Sequence, residues 1–412
     1  MRNLIQKINP LTLLIAILAY LLGWQMGHTD LQLRWSQYRP TLTIENKEPP
    51  KNININFKLF WDVWDLVSRE YIDKQALDAQ KLFYGAISGM VSAIGDPYTF
   101  FLPPDVQKSS KEELNGQFEG VGIQLGFNKD RRLIVIAPLE GTPAKRAGIK
   151  PQDIIVKIED KDTLSITLPD AVKLIRGPKG TPVKLTILSE GSEETKEVTL
   201  IRDTILVKSV EVENKLTKSG QKVAWIKLSR FGERTESEWN ESTSEILSQN
   251  AQAVVLDLRN NPGGLLDGAV FIASEFLEEG DVVLQENNQG QRVSAQVNRQ
   301  GKLTKIPVVV LINKGSASAS EIVAGALQDR KRAQLVGEKS FGKGTIQTPE
   351  ELEGGSGIHI TIAKWLTPNG RWVNDTQGLE PDIIVEAPKE ELGVDNENQP
   401  DPQLDKALEL LE

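Results

Sequence analysis

The sequence predicts an α/β protein built from several domains, and three observations carry that reading. Residues 205–388 alternate buried-looking apolar runs with amphipathic stretches of helical period. Residues 116–204 break instead into short apolar strands separated by turn residues. The first 28 residues form an apolar block unlike anything after them. At 412 residues the chain has length for two or three domains, each with its own core. A net charge of −9, with no basic patch interleaved by aromatics, argues against a nucleic-acid binder.

The elements follow in order. Arg2 and Lys7 precede an uncharged stretch over residues 8–27, about the 20 residues a helix needs to cross a bilayer. Residues 1–28 therefore read as a transmembrane anchor or a signal. The basic end would stay on the cytoplasmic side and the bulk would be exported. Residues 29–55 are polar and proline-punctuated and read as a linker. A helical region and the start of the core occupy 56–115. Phe57, Phe60, Trp61, Trp64, Val67 and Tyr71 fall on one helical stripe, expected to be a core or dimer face. A second helix over 76–94 stops at Gly95-Asp96-Pro97. In 116–204 strands are expected at 121–125, 133–136, 153–158 and 183–187, with one helix at 169–176. In 205–388 strands at 223–228, 253–258, 308–312 and 333–336 are separated by helices near 235–249, 265–277 and 319–329. The acidic tail, 389–412, ends in a short helix carrying Leu404, Ala407, Leu408 and Leu411.

The chemistry is bounded by what the chain lacks. It has no cysteine, which excludes thiol catalysis and Cys-based zinc sites, and only two histidines, His28 and His359. Three alternate serines stand in Gly315-Ser316-Ala317-Ser318-Ala319-Ser320-Glu321, where a strand turns into a helix. Such a turn exposes a side chain and points free amides at whatever approaches, as a nucleophile needs. Helix capping by serine is the plainer alternative. A serine nucleophile requires a base. Lys343 in Phe341-Gly342-Lys343-Gly344-Thr345-Ile346-Gln347 is the candidate, provided Phe341 and the glycines desolvate it. Residues 337–343 also look like the start of a phosphate-binding loop. Gly344 then stands where Ser or Thr is needed, and the chain continues as a strand. His359 lies in an alternating strand and is expected to be structural or superficial. Asn261-Pro262-Gly263-Gly264 ends a buried strand and offers unobstructed amides.

Together these motifs resemble the carboxyl-terminal processing peptidases, or tail-specific proteases, of peptidase family S41. The similarity covers about residues 57–388. The resemblance implies a crotonase/ClpP-like serine protease core with an inserted PDZ domain at 116–204. Lys343 follows Ser318 by the family's 25 positions, which selects Ser318 over Ser316 and Ser320. Gln347 would orient the lysine, and the amides of Ala319 and Gly264, or Gly263, would form the oxyanion hole. Gly120-Val121-Gly122 stands where a PDZ domain binds a peptide carboxylate, and Arg176 would sense that charge or latch the domain. The implied partners are protein or peptide substrates with free C-termini, the membrane, and a second copy in a homodimer. No metal or cofactor is implied. A non-catalytic tethered PDZ adaptor is the alternative.

Overall fold

The computed structural model describes residues 31–36 and 39–44 by backbone alone, then 55–387 except 190 and 193, and 400–412. The expected anchor over 1–28 lies outside the described residues. Among the described residues no helix is long and apolar enough to cross a membrane. The chain divides into two compact units, 1–79 and 80–412.

In the first unit two strands stand within the stretch read as a linker. Leu31–Ser36 and Arg39–Ile44 pair antiparallel, Leu33 opposite Leu42. Leu31, Leu33 and Trp35 recur at period two, the strand signature that the prolines and polar residues obscured. The Lys58–Glu70 helix forms where the aromatic stripe predicts it, but the stripe is not a core. Phe57 and Trp61 are 54% and 60% exposed.

The second unit is organised by a six-stranded sheet. Its order is Val210–Leu216, Lys222–Leu228, Ala253–Asp257, Val308–Ile312, Gln334–Gly337 and Ile383–Ile384. The first pair is antiparallel and every later pair is parallel. The central strands are apolar throughout because both faces are covered. Val254, Leu256, Val308 and Val310 pack with the Leu266–Phe276 and Ala319–Asp329 helices. The alternate residues Val223, Val255, Val309 and Leu311 pack with Leu404, Ala407 and Leu411 of the Pro402–Leu410 helix. The predicted C-terminal helix is thus the outer layer of the core. Asp401, at its N-cap, meets Arg259 at 2.8 Å, and Arg259 also binds Asp257 at 2.6 Å. Burial alone would lower the Arg259 pKa, but hydrogen bonds to the two carboxylates raise it.

A second, antiparallel sheet joins Arg292–Gln296, Asp281–Asn287, Gly357–Leu366 and Thr345–Glu351, with Phe100–Leu102 added to Gly357–Leu366. Residues 116–204 depart from the core and return through one ribbon, Gln117–Gly120 paired with Asp203–Leu206. Between its ends lies an antiparallel sheet ordered Lys196–Ile201, Pro182–Leu188, Ile154–Ile158, Leu133–Pro138, Ile123–Phe127. The Leu168–Ile175 helix buries Ala171 and Ile175 in its core. This ribbon, with Gln117 opposite Leu206 and Gly120 opposite Asp203, forms the neck of the inserted segment.

Candidate functional site

The Val308–Ile312 strand delivers the three serines, and the fold treats them differently. Ser316 is fully buried, donates to the Leu258 carbonyl at 2.7 Å and accepts from the Asn313 amide. Ser320 is fully buried and donates to the Asn261 carbonyl at 2.9 Å. Both hydroxyls are structural. Ser318 is half-buried, and its hydroxyl donates to no acceptor among the described residues. Its backbone has φ 54° and ψ −114°, a region L residues rarely occupy and one that costs about 1–3 kcal/mol. Such a turn lifts the side chain clear of the helix it starts.

Asn261 joins the Pro-Gly-Gly turn to this serine turn. Its carbonyl accepts from the Ala317 amide and the Ser320 hydroxyl, while its side chain bridges the Leu228 carbonyl and the Gly263 amide. A Cβ on Gly263 would lie 2.9 Å from both the Ala319 amide nitrogen and the Ser318 Cβ, so only glycine permits the approach. The two oxyanion candidates of this turn are thereby separated. The Gly263 amide is spent on Asn261 at 2.9 Å. The Gly264 and Ala319 amides have no acceptor among the described residues.

Lys343 lies across the same cavity, of about 650 Å³, which Ser318, Ala319, Gly264, Gln347 and His359 also line. Its loop is pinned from both sides. Trp365 Nε1 donates to the Lys343 carbonyl at 2.9 Å and Trp372 Nε1 to that of Gly344 at 2.8 Å. A Cβ on Gly344 would stand 2.6 Å from Trp372 Nε1, so the flanking glycine serves close packing. The ammonium forms no ion pair among the described residues and sits 4.9 Å from the centre of the Tyr98 ring. No hydrogen bond joins it to Ser318 in this conformation. Burial lowers the Lys343 pKa, against the Asp96 and Glu321 charges that raise it. Phe341, expected to supply the desolvation, is 56% exposed and does not; its side chain turns outward while its amide holds the Ser316 carbonyl. Tyr98 takes that place.

Glu321, which sequence reasoning passed over, binds the two loops together. Its fully buried carboxylate accepts from the Ser318 amide at 2.8 Å, the Ser340 hydroxyl at 2.6 Å, the Gly342 amide at 2.7 Å and the Lys343 amide at 2.9 Å. Burial pushes this carboxyl up, while the four donors oppose the shift. The signal was present as Ser318-x-x-Glu321, the spacing of a capping box. Tyr98 and Asp96 were also missed, Asp96 having been read only as part of a turn and Tyr98 not at all. Asp96 accepts from the Tyr98 amide at 3.0 Å and the Thr99 hydroxyl at 2.7 Å.

Two further expectations change. Gln347 lines the cavity, but its amide nitrogen donates to the Thr345 and Thr361 hydroxyls at 2.9 and 3.2 Å. No hydrogen bond joins it to Lys343 among the described residues. His359 is neither superficial nor remote: it lines the cavity with its ring 4.9 Å from that of Phe100. Burial and the Lys343 charge lower its pKa, and no carboxylate is hydrogen-bonded to it among the described residues.

In the inserted domain, Gly120, Val121 and Gly122 lead from the ribbon into the edge strand. The Val121 and Gly122 carbonyls accept from Ala144 and Leu139, but their amides meet no acceptor among the described residues. Gly122 has φ 75°, and a Cβ there would strike the Thr142 side chain at 2.4 Å. The Arg176 guanidinium carbon lies 4.4 Å from the centre of the Phe118 ring, with its Cγ beside Gly120. The fold therefore gathers all four of these residues at one end of the domain.

Comparison with known proteins agrees with both regions. The pattern of "Peptidase family S41" matches residues 222–385, "PDZ domain" 134–189, and "Activating protease CtpB N-terminal domain" 26–105. A "Carboxyl-terminal-processing protease" of Synechocystis is 39% identical over 348 residues, 80% of this chain and 81% of that one. The "Carboxy-terminal processing protease CtpA" of Bacillus subtilis is 37% identical over 79% of this chain and 68% of its own. A "Probable CtpA-like serine protease" of Staphylococcus aureus is 37% identical over 84% and 67%. The crystal structure of a putative S41 protease from Bacteroides fragilis shares the fold at a TM-score of 0.53, with 16% identity, covering 89% of this chain and 99% of that one. The chain belongs to the carboxyl-terminal processing proteases of peptidase family S41 and is a serine protease bearing a PDZ domain.

Proposed function

We propose that the chain cleaves protein substrates presented by their C-termini, with Ser318 as nucleophile and Lys343 as general base. The observation that carries this reading is the Ser318 hydroxyl, alone of the three serines in donating to nothing among the described residues, on a strained turn and sharing a cavity with a desolvated lysine that has no ion pair among them. Neutral Lys343 leaves the Tyr98 face and takes the Ser318 proton as Oγ bonds to the scissile carbonyl carbon. The carbonyl oxygen becomes an oxyanion held by the Ala319 and Gly264 amides. Lys343 then passes the proton to the leaving amine as the C–N bond breaks, and next activates the water that hydrolyses the acyl-enzyme. Gln347, whose amide oxygen has no donor among the described residues, would accept from the lysine. Gly120, Val121 and Gly122 would receive the substrate carboxylate, with Arg176 beside them. An adaptor without catalysis would have no use for a desolvated lysine facing a strained serine.

The base must be neutral to act, so its protonation sets the pH dependence. Because burial depresses the Lys343 pKa, kcat/KM should fall with decreasing pH through a pKa below that of free lysine, about 10.4. Asp96, Tyr98, Glu321 and His359 are the titratable groups that face it. A His359→Gln variant separates the two candidate bases: it should keep the acid limb and most of its turnover. Loss of both would assign the base to histidine instead.

Residues 1–28 are proposed to anchor the chain with its core facing the periplasm or a lumen; cleavage there would release it as a secreted form. Full-length protein should remain in the membrane pellet after alkaline extraction. Recovery in the supernatant, with residue 1 still present, would argue against the anchor.

A further inference from the structure

Among the described residues the Ile123–Phe127 strand is an open edge, paired only with Leu133–Pro138, and it runs beside the Leu168–Ile175 helix. A peptide whose carboxylate meets the Val121 and Gly122 amides would add antiparallel along this edge. Strand geometry then brings roughly the fifth residue from its end opposite Phe127 and carries the next few beyond the strand. There the structure holds a cavity of about 1030 Å³ between residues 127–131 and 164–168.

The walls of this cavity are of two kinds. Phe127 and Leu164 are 44% and 67% exposed, an apolar pair left in water. Beside them stand Lys129 and Arg131, neither in an ion pair among the described residues, and no carboxylate side chain among the described residues lines the space. The turn that carries the two cations is built: the Asn128 side chain accepts from the Asp130 and Arg132 amides at 3.1 and 2.9 Å. On the facing side, Asp162 at the end of the Lys161–Asp162 strand accepts from the Leu164 amide, and Asp170 in the first turn of the Leu168–Ile175 helix accepts from the Thr167 hydroxyl.

We propose that this cavity is a second recognition site, which selects substrate tails carrying Asp or Glu, interspersed with apolar residues, upstream of the C-terminus. The distance along the strand places the acidic residues roughly five to seven positions before the terminal one. The inference rests on the reading that residues 120–122 receive the terminal carboxylate.

The test uses the full chain bearing Ser318→Ala and fluorescent peptides that share one apolar C-terminus. They differ only upstream, with Asp pairs, Asn pairs or Lys pairs at those positions. Anisotropy titrations should show the Asp peptide binding about three- to tenfold tighter than the Asn peptide, as two partly exposed ion pairs allow. Added salt should shrink the difference. In Lys129→Glu/Arg131→Glu the order should invert, with the Lys peptide tightest. Equal affinities, or an order unchanged by charge reversal, overturn the proposal. An amidated Asp peptide keeps the two readings apart. If amidation abolishes binding while the charge series is flat, the carboxylate reading stands and this inference falls. If the amide binds as tightly as the free acid, the carboxylate reading falls and takes this inference with it. Failure of every peptide to bind overturns both.

Discussion

Ser318→Ala and Lys343→Ala are each expected to reduce kcat/KM by about 10⁴- to 10⁶-fold, the range for removing a member of a nucleophile–base pair. The fold should survive both. The Ser318 hydroxyl donates to nothing among the described residues, so its loss removes at most the bond it accepts from the Glu321 amide at the helix start. The Lys343 backbone keeps its amide on Glu321 and its carbonyl on Trp365 whatever the side chain. Equal thermal midpoints by circular dichroism, with cleavage of an unfolded, apolar-tailed substrate followed by mass spectrometry, check the result. A serine-directed acylating probe adds a second readout: intact mass should show one label on the parent chain and none on Ser318→Ala. Turnover retained in Lys343→Ala would remove the lysine from the mechanism and return attention to His359.

Glu321→Ala is the second large effect, and its signature differs. The substitution strands four donors around a buried void: the amides of Ser318, Gly342 and Lys343 and the hydroxyl of Ser340. Hydrogen bonds to a charged group contribute about 1.5–3 kcal/mol each, but neighbours relax and the terms do not add. A loss of about 3 kcal/mol in unfolding free energy is the expected scale. Activity should fall by about 100-fold or more, because a displacement near 1 Å at the reacting groups suffices for that. The loss should lie in kcat. Binding of C-terminal peptides to the inserted domain should be unchanged, since residues 120–122 and 176 do not touch this clasp. Glu321→Gln tests charge against shape: its single carbonyl oxygen can satisfy only one side, so the variant should recover part of the stability and little of the rate. A Glu321→Ala enzyme with normal kcat would show that the clasp does not position the serine and lysine.

Much of this arrangement is legible in the chain because it is local. Helices at 235–249, 265–277 and 319–329 follow from the 3.6-residue period, and the parallel strands from apolar runs too short for helices. The C-terminal helix was readable from Leu404, Ala407 and Leu411, although its place on the outer face of the sheet was not. Residues 31–36 and 39–44 show the opposite case, where proline and polar content outweighed a period-two pattern. Family spacing pointed to Ser318. What spacing could not show is that Ser316 and Ser320 donate to carbonyls 58 and 59 positions away in the chain.

The chain alone supplies an inventory: a serine-bearing turn, a glycine-flanked lysine, almost no imidazole, and a strand edge with a glycine loop at its head. The packed fold selects which members of that inventory meet. It spent the Gly263 amide on Asn261 and left Gly264 free, turned Phe341 outward and set Tyr98 against the ammonium. It also closed Glu321 over both loops. Each of these outcomes depends on contacts between segments distant in sequence, whose energies arise only when the sheets pack and water is excluded. Local periodicity carries no information about such pairings, and for that reason the chemistry could be named from the chain while its geometry could not.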